Sequence, residues 1–295
     1  MGIWVFPKSL TNALAEGGLM KTIKVMINGI PGNVALNVAK HVLCDGGMTL
    51  LPWSLTGPEI TQNDFPLEGK TIALVTPEKR ERTIQEIVKR EGPFITVDYT
   101  HPSAVNDNAL FYARMKLPFV MGTTGGDRNH LNDTVLKSSI PAVIAPNMAK
   151  EIVGLQAMLT YAADNFPGLF KDYSLEIVES HQAGKADTSG TAKALAALFN
   201  KMGVDFREED IKKERDPEIQ KREWRIPEEH LKGHAWHTYT LLSQDGTVKI
   251  AFTHNINGRD IYSKGTLDAV RFLSEKAAQG ETGRIFTMID VLKGS

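Results

Sequence analysis

At 295 residues, with 42% hydrophobic and 23% charged side chains and a formal net charge of −1, the chain has the composition of a globular protein large enough for one big domain or two modest ones. The near-neutral balance gives no electrostatic footprint for nucleic acid or a membrane surface, and no apolar run approaches the roughly 20 residues that cross a bilayer. The single cysteine, Cys44, excludes an internal disulfide and a thiolate zinc site, and suits a reducing compartment.

Residues 1–20 read as an N-terminal extension. Ile3, Trp4, Val5, Phe6, Leu10 and Leu14 make it partly apolar. It is too weakly basic for a secretory signal, lacks the Arg and Ser enrichment of a transit peptide, and has Phe6 where a myristoylation pattern needs Ser or Thr. From Lys21 short apolar runs alternate with amphipathic stretches, the rhythm of a parallel sheet with crossover helices. Thr22–Asn28 reads as a strand, Asn33–Leu43 as a helix, Met48–Leu55 as a second strand, Thr71–Thr76 as a third and Thr83–Glu91 as a helix. Phe94–Tyr99, Phe119–Gly122 and Ala142–Ala145 follow as short buried strands. This pattern predicts an α/β fold, a Rossmann-like doubly wound parallel sheet.

The first strand runs into Gly29-Ile30-Pro31-Gly32-Asn33-Val34. Gly29 permits a tight turn, and Gly32 lets the helix N-terminus approach a pyrophosphate whose charge the free N–H groups and helix dipole favour. A strand-to-helix turn that needs glycine for backbone reasons alone is equally compatible with this abbreviated motif. Two more turns at strand ends, Asp98-Tyr99-Thr100 and Gly122-Thr123-Thr124-Gly125, favour the cofactor reading, because dinucleotides lie along the carboxyl ends of such strands. Valine at Gly29 is therefore expected to block the pyrophosphate while leaving the fold intact. The end of the second strand, Trp53-Ser-Leu-Thr56, carries no carboxylate where an acidic residue would bind a ribose 2′-hydroxyl. Ser54 and Thr56 could instead donate to a 2′-phosphate, with Lys79 or Arg80 supplying charge, so NADPH is favoured and NADH remains possible.

The rhythm changes near Asn147. Ala149–Ala163 reads as a helix, Ser174–Ser180 as a strand and Thr191–Met202 as a helix, before a charge-rich stretch over 206–228. Ala235–Ser243, Val248–Ile256 and Ile261–Lys264 alternate as antiparallel strands, Thr266–Gln279 reads as a terminal helix, and Ile285–Leu292 as an apolar tail returning to the first sheet. The division expected is a dinucleotide unit over 21–147 and 259–295, with a second α+β domain carrying a mixed or antiparallel sheet over 148–258.

The segment Glu176-Ile-Val-Glu-Ser-His181-Gln182-Ala-Gly-Lys185-Ala-Asp-Thr-Ser189-Gly190-Thr191-Ala192 gathers an imidazole, an ammonium, hydroxyls and a helix start. Lys185 offers a point charge, and Ser189, Gly190 and Thr191 offer donors, to an anionic substrate. His181 can exchange a proton near neutral pH. The structural alternative has Ser189 capping the helix, His181 satisfying a buried backbone group and Lys185 solvated. His234, His237 and His254 are the nearest thing to a metal cluster. With no carboxylate apparent beside them they read as sheet-face residues, and no metal is expected.

That segment, with Gly29-x-x-Gly32, Asp98-Tyr-Thr, Gly122-Thr-Thr-Gly125, Ala145-Pro146-Asn147 and Gly258-Arg-x-Ile-Tyr-x-x-Gly265, resembles the dihydrodipicolinate reductases over 24–292. His230-Leu-Lys-Gly-His234-Ala-Trp-His-Thr-Tyr-Thr looks like their plant-type branch. The chain departs from the usual pattern with Gln182 at a second histidine and one residue fewer before Ser189. The resemblance implies NAD(P)H-dependent reduction of 4-hydroxy-tetrahydrodipicolinate or dihydrodipicolinate to tetrahydrodipicolinate, in the diaminopimelate route of lysine biosynthesis. It implies His181 as the proton donor, Lys185 beside a ring carboxylate, Gly190 and Thr191 at the other, and Ala145, Pro146 and Asn147 near the cofactor. It further implies a homodimer or homotetramer formed through the second domain, in the cytoplasm or, in a photosynthetic eukaryote, the plastid stroma. Aspartate-semialdehyde dehydrogenase would need a thiolate at the site, and Cys44 ends the first helix. A nucleotide sensor without chemistry would have no use for His181 and Lys185.

Overall fold

A computed structural model describes residues 22–294, so the extension over 1–20 lies outside the described residues. The chain opens with strand β1 (Ile23–Asn28), helix α1 (Asn33–Cys44), β2 (Met48–Leu50), β3 (Trp53–Leu55), β4 (Asp64–Leu67), β5 (Lys70–Val75), α2 (Arg80–Glu91) and β6 (Ile95–Asp98). It continues with α3 (Val105–Arg114), β7 (Phe119–Met121), α4 (Arg128–Leu136) and β8 (Pro141–Ile144). Every pairing in the main sheet, ordered β8-β7-β6-β1-β2 across these strands, is parallel. Because β1 is covered on both sides, Val25 and Ile27 join α1 on one face while Met26 packs with α2, α3 and α4 on the other.

The single strand expected over Met48–Leu55 is two. Pro52 cannot donate to a ladder, and the chain passes from β2 beside β1 to β3, which pairs with β5 in a smaller sheet ordered β3-β5-β4.

The second half comprises α5 (Lys150–Asn165), β9 (Tyr173–His181), α6 (Gly190–Lys201), β10 (Lys212–Glu214), α7 (Pro217–Arg222), β11 (His234–Ser243) and β12 (Lys249–Asn257). The sheet order is β10-β9-β11-β12, with β10 parallel to β9 and the other pairs antiparallel. Its inner face packs Ile177, Tyr239 and Leu241 against Leu159 and Ala163 of α5 and Ala192, Leu195 and Phe199 of α6.

The chain ends with α8 (Asp260–Ala278), β13 (Arg284–Phe286) and α9 (Met288–Lys293). The strand expected at Ile261–Lys264 is instead the first turn of α8. Ser263, Thr266, Leu267, Val270 and Leu273 recur at helical spacing and are buried, a period that four alternating residues are too few to reveal. The apolar tail does return, as β13 pairs parallel with β8. Helix α8 packs on α1 and across the main sheet, and it passes so close to the turn after β8 that a Cβ on Gly265 would collide with the Met148 carbonyl oxygen. Alanine normally stabilises a helix relative to glycine by about 1 kcal/mol. At Gly265 the sign should reverse, with Gly265→Ala destabilising the protein by about 1–3 kcal/mol, as overpacked sites do; an equal or raised Tm would show that α8 has room to shift.

Candidate active site

The nucleotide half of the site begins where β1 ends. Gly29 has φ +100°, and its N–H donates to the Leu55 carbonyl at 2.9 Å. A Cβ there would strike the Tyr99 carbonyl before meeting any ligand. Gly29 is therefore required by the fold itself, and the expectation that valine would spare the fold is corrected. The Gly32 N–H donates to the Gly29 carbonyl at 2.7 Å, and Gly32 caps α1 without a side-chain bond, which leaves the first-turn N–H groups at Asn33 and Val34 open to an anion. Ile30 is buried, and its N–H donates to Ser54 Oγ at 3.1 Å. Ser54 is itself fully buried, so it braces the turn from below rather than reaching toward a ribose phosphate. Thr56 is also buried, its hydroxyl donating to the Val75 carbonyl at 3.4 Å. Arg80 lies over the Phe111 ring at 4.5 Å and donates to Asn108 Oδ1 at 3.3 Å.

Asp98 faces inward. One carboxylate oxygen accepts from the Thr100 N–H at 3.1 Å, the Thr100 hydroxyl at 2.8 Å and the Thr123 hydroxyl at 2.6 Å. The other accepts from Tyr112 at 2.7 Å and Asn108 at 3.0 Å. With these bonds Asp98 shapes the 99–102 and 122–125 turns from within. The Tyr99 ring covers Gly122 so closely that a Cβ there would enter it. Tyr99 shares a 2.5 Å hydrogen bond with Thr266 of α8, and burial pushes its phenol up to about 12. Thr124 and Pro146 are exposed at the strand ends, Ala145 is buried, and Asn147 is half-buried.

The substrate half grows from the inner face of the second sheet. Along β9 that face runs Leu175, Ile177, Glu179, His181, so the apolar core gives way to ionisable groups at the strand's C-terminal end. A cavity of about 280 Å³ opens there, lined by His181, Gln182, Lys185, Ser189, Gly190 and Thr191 together with Asn147, and by His237, His254, Arg259 and Tyr262. All six residues expected at substrate thus meet in one place. Lys185 Nζ pairs with Asp187 at 2.9 Å. Ser189 makes no side-chain cap to α6; its N–H donates to Glu179 Oε2 at 3.0 Å. Glu179 is fully buried, and its other oxygen accepts from Arg215 at 2.5 Å.

His181 is buried, with Nε2 3.4 Å from His237 Nε2 and Nδ1 without a hydrogen-bond partner. Gln220 holds the His181 carbonyl at 2.7 Å. Burial first, then the cations Arg215 and Lys185, depress His181 to about 3. Burial likewise lowers His237 to about 2 and His254 to about 4. His237 reaches Tyr239 at 3.1 Å, whereas His234 turns to Ser180 at 2.9 Å and the His230 carbonyl at 3.1 Å. Among the described residues the ligand atoms of Glu179, His181 and His237 all lie within 4.8 Å of one another. This differs from the His234, His237, His254 set weighed from the sequence, and both oxygens of Glu179 are already taken by Arg215 and Ser189.

Glu179, Arg215, Arg259 and Tyr262 were not singled out from the sequence, and His237 and His254, read there as sheet-face residues, line the cavity. Arg259 and Tyr262 stand inside the Gly258–Gly265 motif and could have been found there. Arg215 lies in a charge-rich stretch with no local signal.

Two family models described as dihydrodipicolinate reductase, N-terminus, and dihydrodipicolinate reductase, C-terminus, match residues 23–148 and 152–292. The chain is 44% identical over 282 residues to 4-hydroxy-tetrahydrodipicolinate reductase 2, chloroplastic, of Arabidopsis thaliana, covering 96% of this chain and 80% of that protein. It is 41% identical over 293 residues to probable 4-hydroxy-tetrahydrodipicolinate reductase 1, chloroplastic, of Oryza sativa subsp. japonica, covering 97% and 85%. A dipicolinate-bound dihydrodipicolinate reductase from Paenisporosarcina sp. TG-14 superposes with a TM-score of 0.64 at 18% identity, covering 90% of this chain and 97% of that one, a likeness of fold.

The depressed histidines carry a stability consequence. Between pH 6.5 and the folded values the unfolded chain binds more protons than the folded one, so stability is complete above about pH 6.5 and is lost as pH falls toward about 4. The Tm should be level from neutral to mildly alkaline pH and decline below 6.5. His237→Gln should make that decline shallower, and an unchanged acid slope would mean that His237 is not held neutral.

Proposed function

The chain belongs to the dihydrodipicolinate reductase family, and from that premise we propose that it reduces 4-hydroxy-tetrahydrodipicolinate, or its dehydrated form, to tetrahydrodipicolinate in lysine biosynthesis. The observation that carries the reading is the single cavity uniting His181, Lys185 and the start of α6 with Asn147 at the edge of the nucleotide half. Two carboxylates on one ring require two separated grips. Lys185 supplies the first as a point charge, and the N–H groups of Gly190 and Thr191 with the Thr191 hydroxyl supply the second. The exposed Arg259, at the start of α8, faces the same cavity and adds positive charge.

The glycine turn at 29–32, the uncapped start of α1 and the exposed Thr124 fit a dinucleotide, with Asn33, Val34, Thr100 and Pro146 beside it. When bound, that cofactor supplies hydride. The hydroxylated ring must first lose water to form the conjugated double bond that accepts hydride, and His181 delivers the balancing proton to the adjacent ring carbon. In the ligand-free protein burial and the neighbouring cations keep His181 neutral at pH 7. A dianionic substrate compensates Lys185 and Arg215 and draws His181 upward, so the acid is charged by the ligand it serves.

NADPH is the cofactor of choice in this reading, supported by the absence of a carboxylate within residues 53–56 at the end of β3 and by Lys79 and Arg80 at the start of α2. The division into units over 21–147 with 259–295, and 148–258, is supported by the pairing of β13 with β8 and the packing of α8 on α1. The outer face of the second sheet, with Trp236 and Thr238 half-buried and Ala251 and Thr253 exposed, suits self-association as a dimer or tetramer; a monomer in sedimentation would contradict that. The chloroplastic plant relatives support a stromal location if the source is photosynthetic.

His181→Gln should lower kcat by about 10²–10⁴ with NADPH affinity unchanged, and Lys185→Ala should depress kcat/KM while raising KM for the dicarboxylate. Steady-state NADPH oxidation with the product of dihydrodipicolinate synthase decides the matter, and near-native kcat in both variants would remove these residues from the mechanism. The ratio of kcat/KM for the two cofactors should be at or above one in favour of NADPH; a clear preference for NADH would refute the nucleotide assignment.

A further inference from the structure

The loop that carries Lys185 has few ties of its own. Lys185 donates its N–H to the Gln182 carbonyl at 3.0 Å within the loop, and its side chain pairs with an exposed Asp187. What fastens the loop to the sheet is Arg215, just beyond β10. Its Nε donates to the Lys185 carbonyl at 2.8 Å, Nη1 to the carbonyls of Glu214 at 2.9 Å and Glu179 at 3.3 Å, and Nη2 to Glu179 Oε1 at 2.5 Å. The other Glu179 oxygen accepts from the N–H of Ser189, immediately before Gly190 and Thr191. We propose that Arg215, paired with Glu179, is the positioning residue for the dicarboxylate, setting the spacing between Lys185 and the Gly190–Thr191 grip.

The inference rests on the reading of those two grips given above. It follows from connectivity: one guanidinium–carboxylate pair touches both ends of the loop, so the distance between the grips is set by its geometry. The Glu179 side chain is fully buried and that of Arg215 only 17% exposed, so removing either partner leaves the other desolvated. The directions of the bonds require a planar fork, and a lysine, although it keeps the charge, presents only a point. Arg215 also lies near enough to His181 to help hold it neutral, which makes its charge and its shape separable by substitution.

Arg215→Lys should weaken dipicolinate binding and raise KM for the dicarboxylate by roughly 10- to 100-fold, the scale of an ångström-sized misplacement, while NADPH affinity and the pH profile stay as in the parent enzyme. Arg215→Met, which also removes the charge, should in addition move the alkaline limb of the kcat/KM profile upward as His181 is released. Calorimetry with dipicolinate and, separately, NADPH reads the binding split. Dicarboxylate affinity within twofold of the parent in folded Arg215→Lys overturns the proposal, as does parallel loss of both affinities, which would mark a general structural role. If that variant does not fold, Glu179→Gln should show the same dicarboxylate-selective loss, and unfolding of both overturns the proposal as well. Failure of the parent enzyme to oxidise NADPH with the ring substrate would instead strike the functional reading, leaving the dipicolinate result to judge Arg215.

Discussion

A carboxylate taken out of water has to be surrounded by donors, and the architecture at both halves of the site is organised by that requirement. Asp98 meets it with hydroxyls and an N–H drawn from the turns after β6 and β7 and from α3. Glu179 meets it with Arg215 and the N–H before α6. In each case some of the donors come from loops, so the cost of burying the charge is offset by bonds that also order those loops.

The same arrangement explains what could be read from the sequence. Strand β1, the Gly29–Gly32 turn and α1 are legible because period, glycine and helix start coincide within a dozen residues or so. The grouping of His181, Lys185 and Ser189–Thr191 is legible because one loop carries it. Asp98 and Ser54 stand at the expected strand ends with their side chains buried, a direction the sequence does not show, since a polar residue beside a turn looks the same whether it points out or in. Arg215 is 36 residues from Glu179, and only the parallel pairing of β10 with β9 makes them neighbours. Helices α3 and α4 passed unread because polar residues interrupt their buried stripes, as Asn108 does in α3.

The interior histidines are held neutral chiefly by their burial. Their surroundings contain Arg215 and Lys185 on one side and aromatic rings on the other, with the His237 and His254 ring centroids 4.5 Å apart. Glu179 lies 3.7 Å from His181 and 4.0 Å from His237, but its charge is matched by Arg215, so burial still disfavours the protonated rings.

Helix α8 touches everything that matters: its start lines the cavity with Arg259 and Tyr262, its Thr266 meets Tyr99 over the nucleotide turn, and its Gly265 lies against Met148 with no space for a side chain. One helix thus joins the cavity to the turns proposed to hold the dinucleotide. Linkage requires any coupling through that helix to be reciprocal: whatever the dinucleotide adds to the affinity for the dicarboxylate, the dicarboxylate adds to the affinity for the dinucleotide.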